Sequence, residues 1–150
     1  MRVQGLLILV LAGSVGQPAM EEAICRPAGP EDTTLLGHMP YTVRTNGEFR
    51  VVQGTVVDPV GEPVEGALVE VFDHPEQSSW YGLVEEDGPQ HRVAACRTGP
   101  SGRYRFDGVP AGHYDLRVGA SGFNGALHWI YVNPKGRGRR ELVVRLELGT

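Results

Sequence analysis

The sequence predicts an all-β protein: a seven-stranded antiparallel Greek-key β-sandwich. Three observations carry this expectation. From Phe49 onward, apolar and polar residues alternate at the two-residue period of a strand. Clusters of glycine and proline interrupt that alternation at short intervals, as turns do. No stretch carries the apolar stripe of an amphipathic helix.

The elements follow in order. Residues 1–19, "MRVQGLLILVLAGSVGQPA", read as a secretory signal peptide, with Arg2 and the free amine ahead of an apolar run from Leu6 to Leu11. Small residues follow, and cleavage is expected after Gly16 or Ala19. The run is shorter than the roughly 20 residues of a membrane-spanning helix. Residues 20–47 lack sustained periodicity and hold Pro27, Pro30 and Pro40, so they read as an extended arm with a short strand at Tyr41 to Thr45. Residues 48–150 form the sandwich domain.

"FRVVQGTVVD" is the first strand of that domain, and "DPVGEPVEG" turns it into the second, "ALVEVFD". A long loop leads to "HRVAACRT", and "GPSG" turns that strand into "RYRFDGV". The fifth strand, "HYDLRVGA", places Tyr114, Leu116 and Val118 on one face and His113, Asp115 and Arg117 on the other. Such alternation implies one buried and one wet face. "ALHWIYV" is the sixth strand. "ELVVRLEL" is the seventh, with Leu142, Val144, Leu146 and Leu148 facing one way.

A chain of 150 residues accommodates one domain and a leader. Its formal net charge is −4, becoming −5 if Arg2 leaves with the leader. This acidity argues against nucleic acid as a partner. Lys135, Arg137, Arg139 and Arg140 gather in "NPKGRGRR", but interleaved glycines and the lack of a stacking platform make this a solvated turn. Cys25 and Cys96 are an even pair in an exported chain, which suggests one disulfide contributing about 3–4 kcal/mol. Two free buried thiols are the alternative. Two distant thiols without a CxxC motif make no zinc site, and no cofactor is expected. With no other candidate span, the mature protein is expected to be secreted or periplasmic, without a membrane segment.

The turn and strand residues also resemble a known family. "GTVVDPVGEPVEGALVEVFD" followed by "CRTGPSGRYRFDGVPAGHYDLRVGASGF" is similar to the carboxypeptidase regulatory-like domain, a transthyretin-like (prealbumin-like) sandwich. The resemblance runs from about Gln53 to Leu148. It is carried early by Gly54, Gly61, Pro63, Gly66 and Ala67, and later by Thr98, Gly102, Tyr104, Phe106, Pro110, Gly112, Tyr114 and Leu116. Gly61 and Gly102 supply positive φ at strand reversals, and the prolines fix φ where no amide donor is needed. Tyr104, Phe106, Tyr114 and Leu116 are expected in the core, with the tyrosine hydroxyls at the rim. The resemblance implies an accessory module that binds protein or carbohydrate, not an enzyme.

Three catalytic lines approach this fold. A self-crosslinking surface domain needs an early-strand lysine, and Lys135, the only lysine, lies in a turn. The transthyretin-related hydrolase ends in Tyr-Arg-Gly-Ser, whereas this chain ends "RLELGT". Intradiol dioxygenases begin their catalytic sandwich with similar text and hold ferric iron through two tyrosines and a His-x-His pair. Tyr114 resembles one of those tyrosines and His128 falls near the histidine pair, so these two are the candidate iron ligands of an alternative, degenerate dioxygenase-like reading. The second histidine of the pair is absent, since Ala126 and Ile130 flank His128 at the alternate positions. In the opposing, structural reading Tyr114 is an ordinary core residue and His128 is half-exposed. No GxSxG elbow and no glycine-rich phosphate cradle is present.

The most unusual segment is "HPEQSSWYGLVEEDGPQHR", His74 to Arg92. Loops of this length in a sandwich tend to function, and Trp80 and Tyr81 are its candidate binding surface for a protein or a sugar ring. Alternatively, Trp80 folds back to cap the core.

Overall fold

The computed structural model describes residues 24–33, 41–74 and 90–149. Its elements are β1 (Cys25–Pro27), β2 (Tyr41–Phe49), β3 (Val52–Val57), β4 (Leu68–Asp73), β5 (Arg92–Thr98), β6 (Arg103–Phe106), β7 (Gly112–Gly119), β8 (Phe123–Val132), β9 (Leu142–Arg145) and β10 (Glu147–Leu148). No helix occurs among the described residues. The strands form two layers. The larger sheet runs β1-β5-β4-β7-β8-β10, with β2 also against β8, and the smaller runs β6-β3-β9.

The all-β sandwich is therefore the fold, with strands more numerous than the seven expected. Two pairings are parallel, β2 with β8 and β3 with β9, where the alternation predicts antiparallel neighbours throughout. Alternation reports which face a residue takes and is blind to the direction of the neighbouring strand. The strand expected at Tyr41 to Thr45 extends to Phe49 and pairs along β8 as far as Val132, with a register shift between Thr45 and Glu48. It runs through position 47, where the sequence suggested a boundary between arm and domain. Residues 25–27 likewise join the sheet, against β5.

Inward-facing residues of the two layers meet in one core. Val56 and Val144 from the small sheet, and Val69, Val71, Leu116 and Val118 from the large one, are fully buried. Burying side chains of this kind contributes on the order of 1.5–3 kcal/mol each. Tyr104, Phe106, Tyr114 and Leu116 are all in this core. The Tyr104 hydroxyl does not reach the rim, however. It is buried and donates to the Leu142 carbonyl at 2.9 Å.

That contact explains Gly54. A Cβ at Gly54 would lie 1.8 Å from the Leu142 oxygen and 2.8 Å from the Tyr104 hydroxyl, so any side chain would drive β3 from β9. Gly61 and Gly102 have φ of 93° and 70°, the left-handed conformation their turns require. Thr98 is buried: its Oγ1 accepts from the Ala67 amide at 2.9 Å and donates to the Val64 carbonyl at 2.7 Å. One side chain thus ties β5 to the turn preceding β4.

Candidate functional site

The sequence proposes Tyr114 and His128 as a pair, and the register does bring them near. Tyr114 stands opposite Ile130 and Leu116 opposite His128. Cross-strand partners share a face, so Tyr114 and His128 are diagonal neighbours on the core face of the large sheet. Their polar ends are committed separately. The Tyr114 hydroxyl donates to the Pro110 carbonyl at 2.8 Å. Burial, with the Asp73 carboxylate second, raises its pKa and keeps the phenol protonated.

His128 is 3% exposed, not half-exposed, because β2 covers the edge of β8 that the sequence left open. Its Nδ1 lies 2.7 Å from the Asn46 amide nitrogen and therefore accepts from that NH2. Burial, and then the Arg44 charge, depress its pKa to about 4. The structure thus commits the Tyr114 hydroxyl to Pro110 and His128 Nδ1 to Asn46. Among the described residues, no three His, Cys, Asp or Glu side chains gather to hold a metal ion.

Cys25 and Cys96 form a disulfide with Cα atoms 5.8 Å apart, which resolves the alternative of two free thiols. Cys96 belongs to the core, so the bond anchors β1 through the sheet's inner side. Two arginines of β5 hold the following residues. Arg92 donates to the Gly29 carbonyl at 2.7 Å and to the Asp32 carbonyl, and Arg97 pairs with the Asp32 carboxylate. The Arg97 hydrogen bond, followed by the Gly29 amide, pulls the Asp32 pKa below the usual carboxylate value.

The outer face of the large sheet, expected to be wet, carries two buried carboxylates. Glu70 is 1% exposed and Asp115 5%. Glu70 accepts from Arg92 at 3.1 Å. Asp115 accepts from His74 Nδ1 at 2.9 Å and from Gln90 Nε2 at 2.7 Å. Gln90 in turn accepts from Arg117, whose guanidinium stacks 4.0 Å over the Phe72 ring. Because a carboxylate only accepts, the Nδ1 proton of His74 is fixed, and with it the ring's orientation.

Sequence reasoning leaves these acidic residues scattered. Their proximity comes from register, Glu70 opposite Arg117 and Phe72 opposite Asp115, which no local pattern encodes. The nearest signal is Glu70 itself, a charge inside the apolar strand "ALVEVF". Farther along this face, His113 stacks on Tyr131 with ring centroids 4.8 Å apart, and Trp129 and Tyr131 are half-buried. Trp80 and Tyr81 lie outside the described residues.

Comparison with known proteins places the chain. Comparison with curated proteins returns no match. Among solved structures, catechol 1,2-dioxygenase from Pseudomonas arvilla C-1 is similar at 15% identity and a TM-score of 0.39, covering 82% of this chain and 62% of that one. The 3-chlorocatechol 1,2-dioxygenase from Rhodococcus opacus 1CP gives 13% identity, 91% and 71% coverage and a TM-score of 0.39. Chlorocatechol 1,2-dioxygenase from Pseudomonas putida gives 16%, 81% and 71%, and 0.39. The chain spans less than two thirds of the first of these, and likeness at this level lends it no activity. The match to a family model is of another order: residues 51–146, more than half of the chain, fit the carboxypeptidase regulatory-like domain, and the protein belongs to that family.

Proposed function

We propose that the protein is an exported, non-catalytic sandwich module that binds a protein or carbohydrate partner at the cell envelope or outside the cell. The observation that carries this reading is the engagement of Tyr114 and His128, the residues best suited to metal chemistry, with Pro110 and Asn46 of the sandwich itself. The Cys25–Cys96 disulfide supports export, because such bonds persist in oxidising compartments. Among the described residues no helix is long and apolar enough to cross a membrane. In this reading residues 1–19 are a removed leader, residues 20–47 lead into the domain and lend it β1 and most of β2, and Trp80 and Tyr81 contribute to partner contact.

Affinity capture tests it. The tagged full chain, expressed in its source cell, is crosslinked and recovered from envelope and medium fractions. The reading expects a processed N-terminus and a reproducible protein or glycan partner. Retention in the cytoplasm with an intact leader would contradict it.

A further inference from the structure

The basic turn "NPKGRGRR" looks isolated in sequence, and the fold gives it neighbours. The Asn133 amide donates to the Phe49 carbonyl at 2.8 Å, the Arg139 amide to Glu48 at 2.8 Å, and the Arg50 amide to Arg139 at 3.3 Å. The turn therefore lies along the end of β2. Glycine permits this close seat, since a Cβ at Gly138 would stand 2.2 Å from the Glu48 carbonyl oxygen. Gln53 continues the connection: its Nε2 donates to the Arg140 carbonyl at 2.8 Å, and its Oε1 accepts from Arg105 at 2.8 Å. Arg105 and Arg103 project from the outer face of β6.

Arg50, Lys135, Arg137, Arg139 and Arg140 are thus one exposed group, and Arg103 and Arg105 extend it across the small sheet. Together they are half of the 14 lysines and arginines in a chain whose net charge is −4. Arg103 and Arg105 face Glu141 and Asp107 at 3.5 and 2.9 Å. Among the described residues the other five enter no ion pair. The Glu48 carboxylate lies against Gly136 in this turn, with Glu141 and Asp107 at its margin, so seven cations face three carboxylates and the band keeps a net positive charge that favours an anion.

We infer that this band docks an acidic polysaccharide, a glycan bearing carboxylate or sulfate groups. The inference rests on the reading of the protein as an exported binding module and names the partner's class. Guanidinium groups meet carboxylates and sulfates through paired N–H donors. A protein partner is disfavoured because the hot spots of a protein interface combine arginine with Trp or Tyr, and the band supplies the arginines alone. Phe49, Tyr104 and Phe106, three rings beside the band, are at most 8% exposed. Among the described residues Val143 is the exposed large apolar side chain on the small sheet's strands. Single-stranded nucleic acid wants a stacking ring, and duplex DNA an element that enters a groove. This flat face offers neither.

The test is binding of the full chain to polygalacturonate at low salt, with neutral dextran, duplex DNA and phosphatidylglycerol vesicles as comparators. Polygalacturonate should bind most tightly and weaken with added salt. The triple variant Arg137→Gln/Arg139→Gln/Arg140→Gln should lose roughly tenfold or more in affinity. Its melting temperature should stay near that of the parent, and Arg26→Gln, an exposed cation on β1 of the large sheet, should bind as the parent does. No binding to polygalacturonate, tighter binding to DNA or vesicles, or an undiminished triple variant would overturn the inference. A cellular partner captured equally by parent and triple variant would overturn this surface while leaving the module reading intact.

Discussion

Asp115 accepts a 2.9 Å hydrogen bond from His74, a residue 41 positions earlier in the chain, on the sheet face that the alternation marks as wet. The pair fixes β7 to the end of β4, and Gln90 closes it from the start of β5. A double-mutant cycle with Asp115→Asn and His74→Gln should show coupling of about 0.5 kcal/mol or more. Asp115→Asn alone should destabilise by about 1–3 kcal/mol, since His74 and Gln90 each donate to a different carboxylate oxygen and the amide replaces one of these acceptors with an NH2 facing a donor. Urea titrations of the four proteins measure both quantities, and additive effects would contradict the pairing.

Tyr104→Phe keeps the ring and deletes the hydroxyl that satisfies the Leu142 carbonyl. The expected loss is about 1 kcal/mol, seen as a lower melting temperature with an unchanged fold by circular dichroism. Gly54→Ala should cost more than the tyrosine change, because its Cβ meets the Leu142 backbone at 1.8 Å.

His128 gives the protein an acid sensitivity with a definite sign. Its folded pKa of about 4 lies below the ordinary 6.5, so as pH falls the unfolded chain takes the proton first. Stability present above pH 6.5 is lost between 6.5 and 4, by up to about 3 kcal/mol. The difference in unfolding free energy between the parent and His128→Gln, followed from pH 7.5 to 4.5, isolates this contribution. A constant difference would contradict the buried, neutral histidine.

The Cys25–Cys96 bond closes a loop across 71 positions, for which chain entropy gives about 4 kcal/mol. Cys25→Ser/Cys96→Ser should melt well below the parent, and dithiothreitol should lower the parent's melting temperature but not the variant's. Amide exchange at Ala28, which donates to the Ala95 carbonyl, should quicken on reduction.

Much of the sandwich is legible in sequence because its signals are local. The "DPVGEP" turn is written by its residues: Asp58 Oδ1 accepts from the amides of Val60 and Glu62 at 2.9 Å each, and Gly61 takes the positive φ. Alternation likewise announces Tyr114, Leu116 and Val118 as core. What escapes is set by strands meeting at a distance. The parallel docking of β2 on β8 turns His128 from half-exposed to buried, and the Glu70–Arg117 register turns a wet face into a polar network. The seating of the 133–140 turn on Glu48 and Arg50 joins residues more than 80 positions apart. Side-chain periodicity carries no information about such neighbours.

The central claim is that the interior tyrosine and histidine hold the sandwich together and do not grip an ion. Its most direct test is iron content and visible absorption of the purified full chain after exposure to ferric salt and removal of the excess. The account predicts sub-stoichiometric iron and no tyrosinate-to-iron band. One iron per chain, with a visible band abolished by Tyr114→Phe, would contradict it.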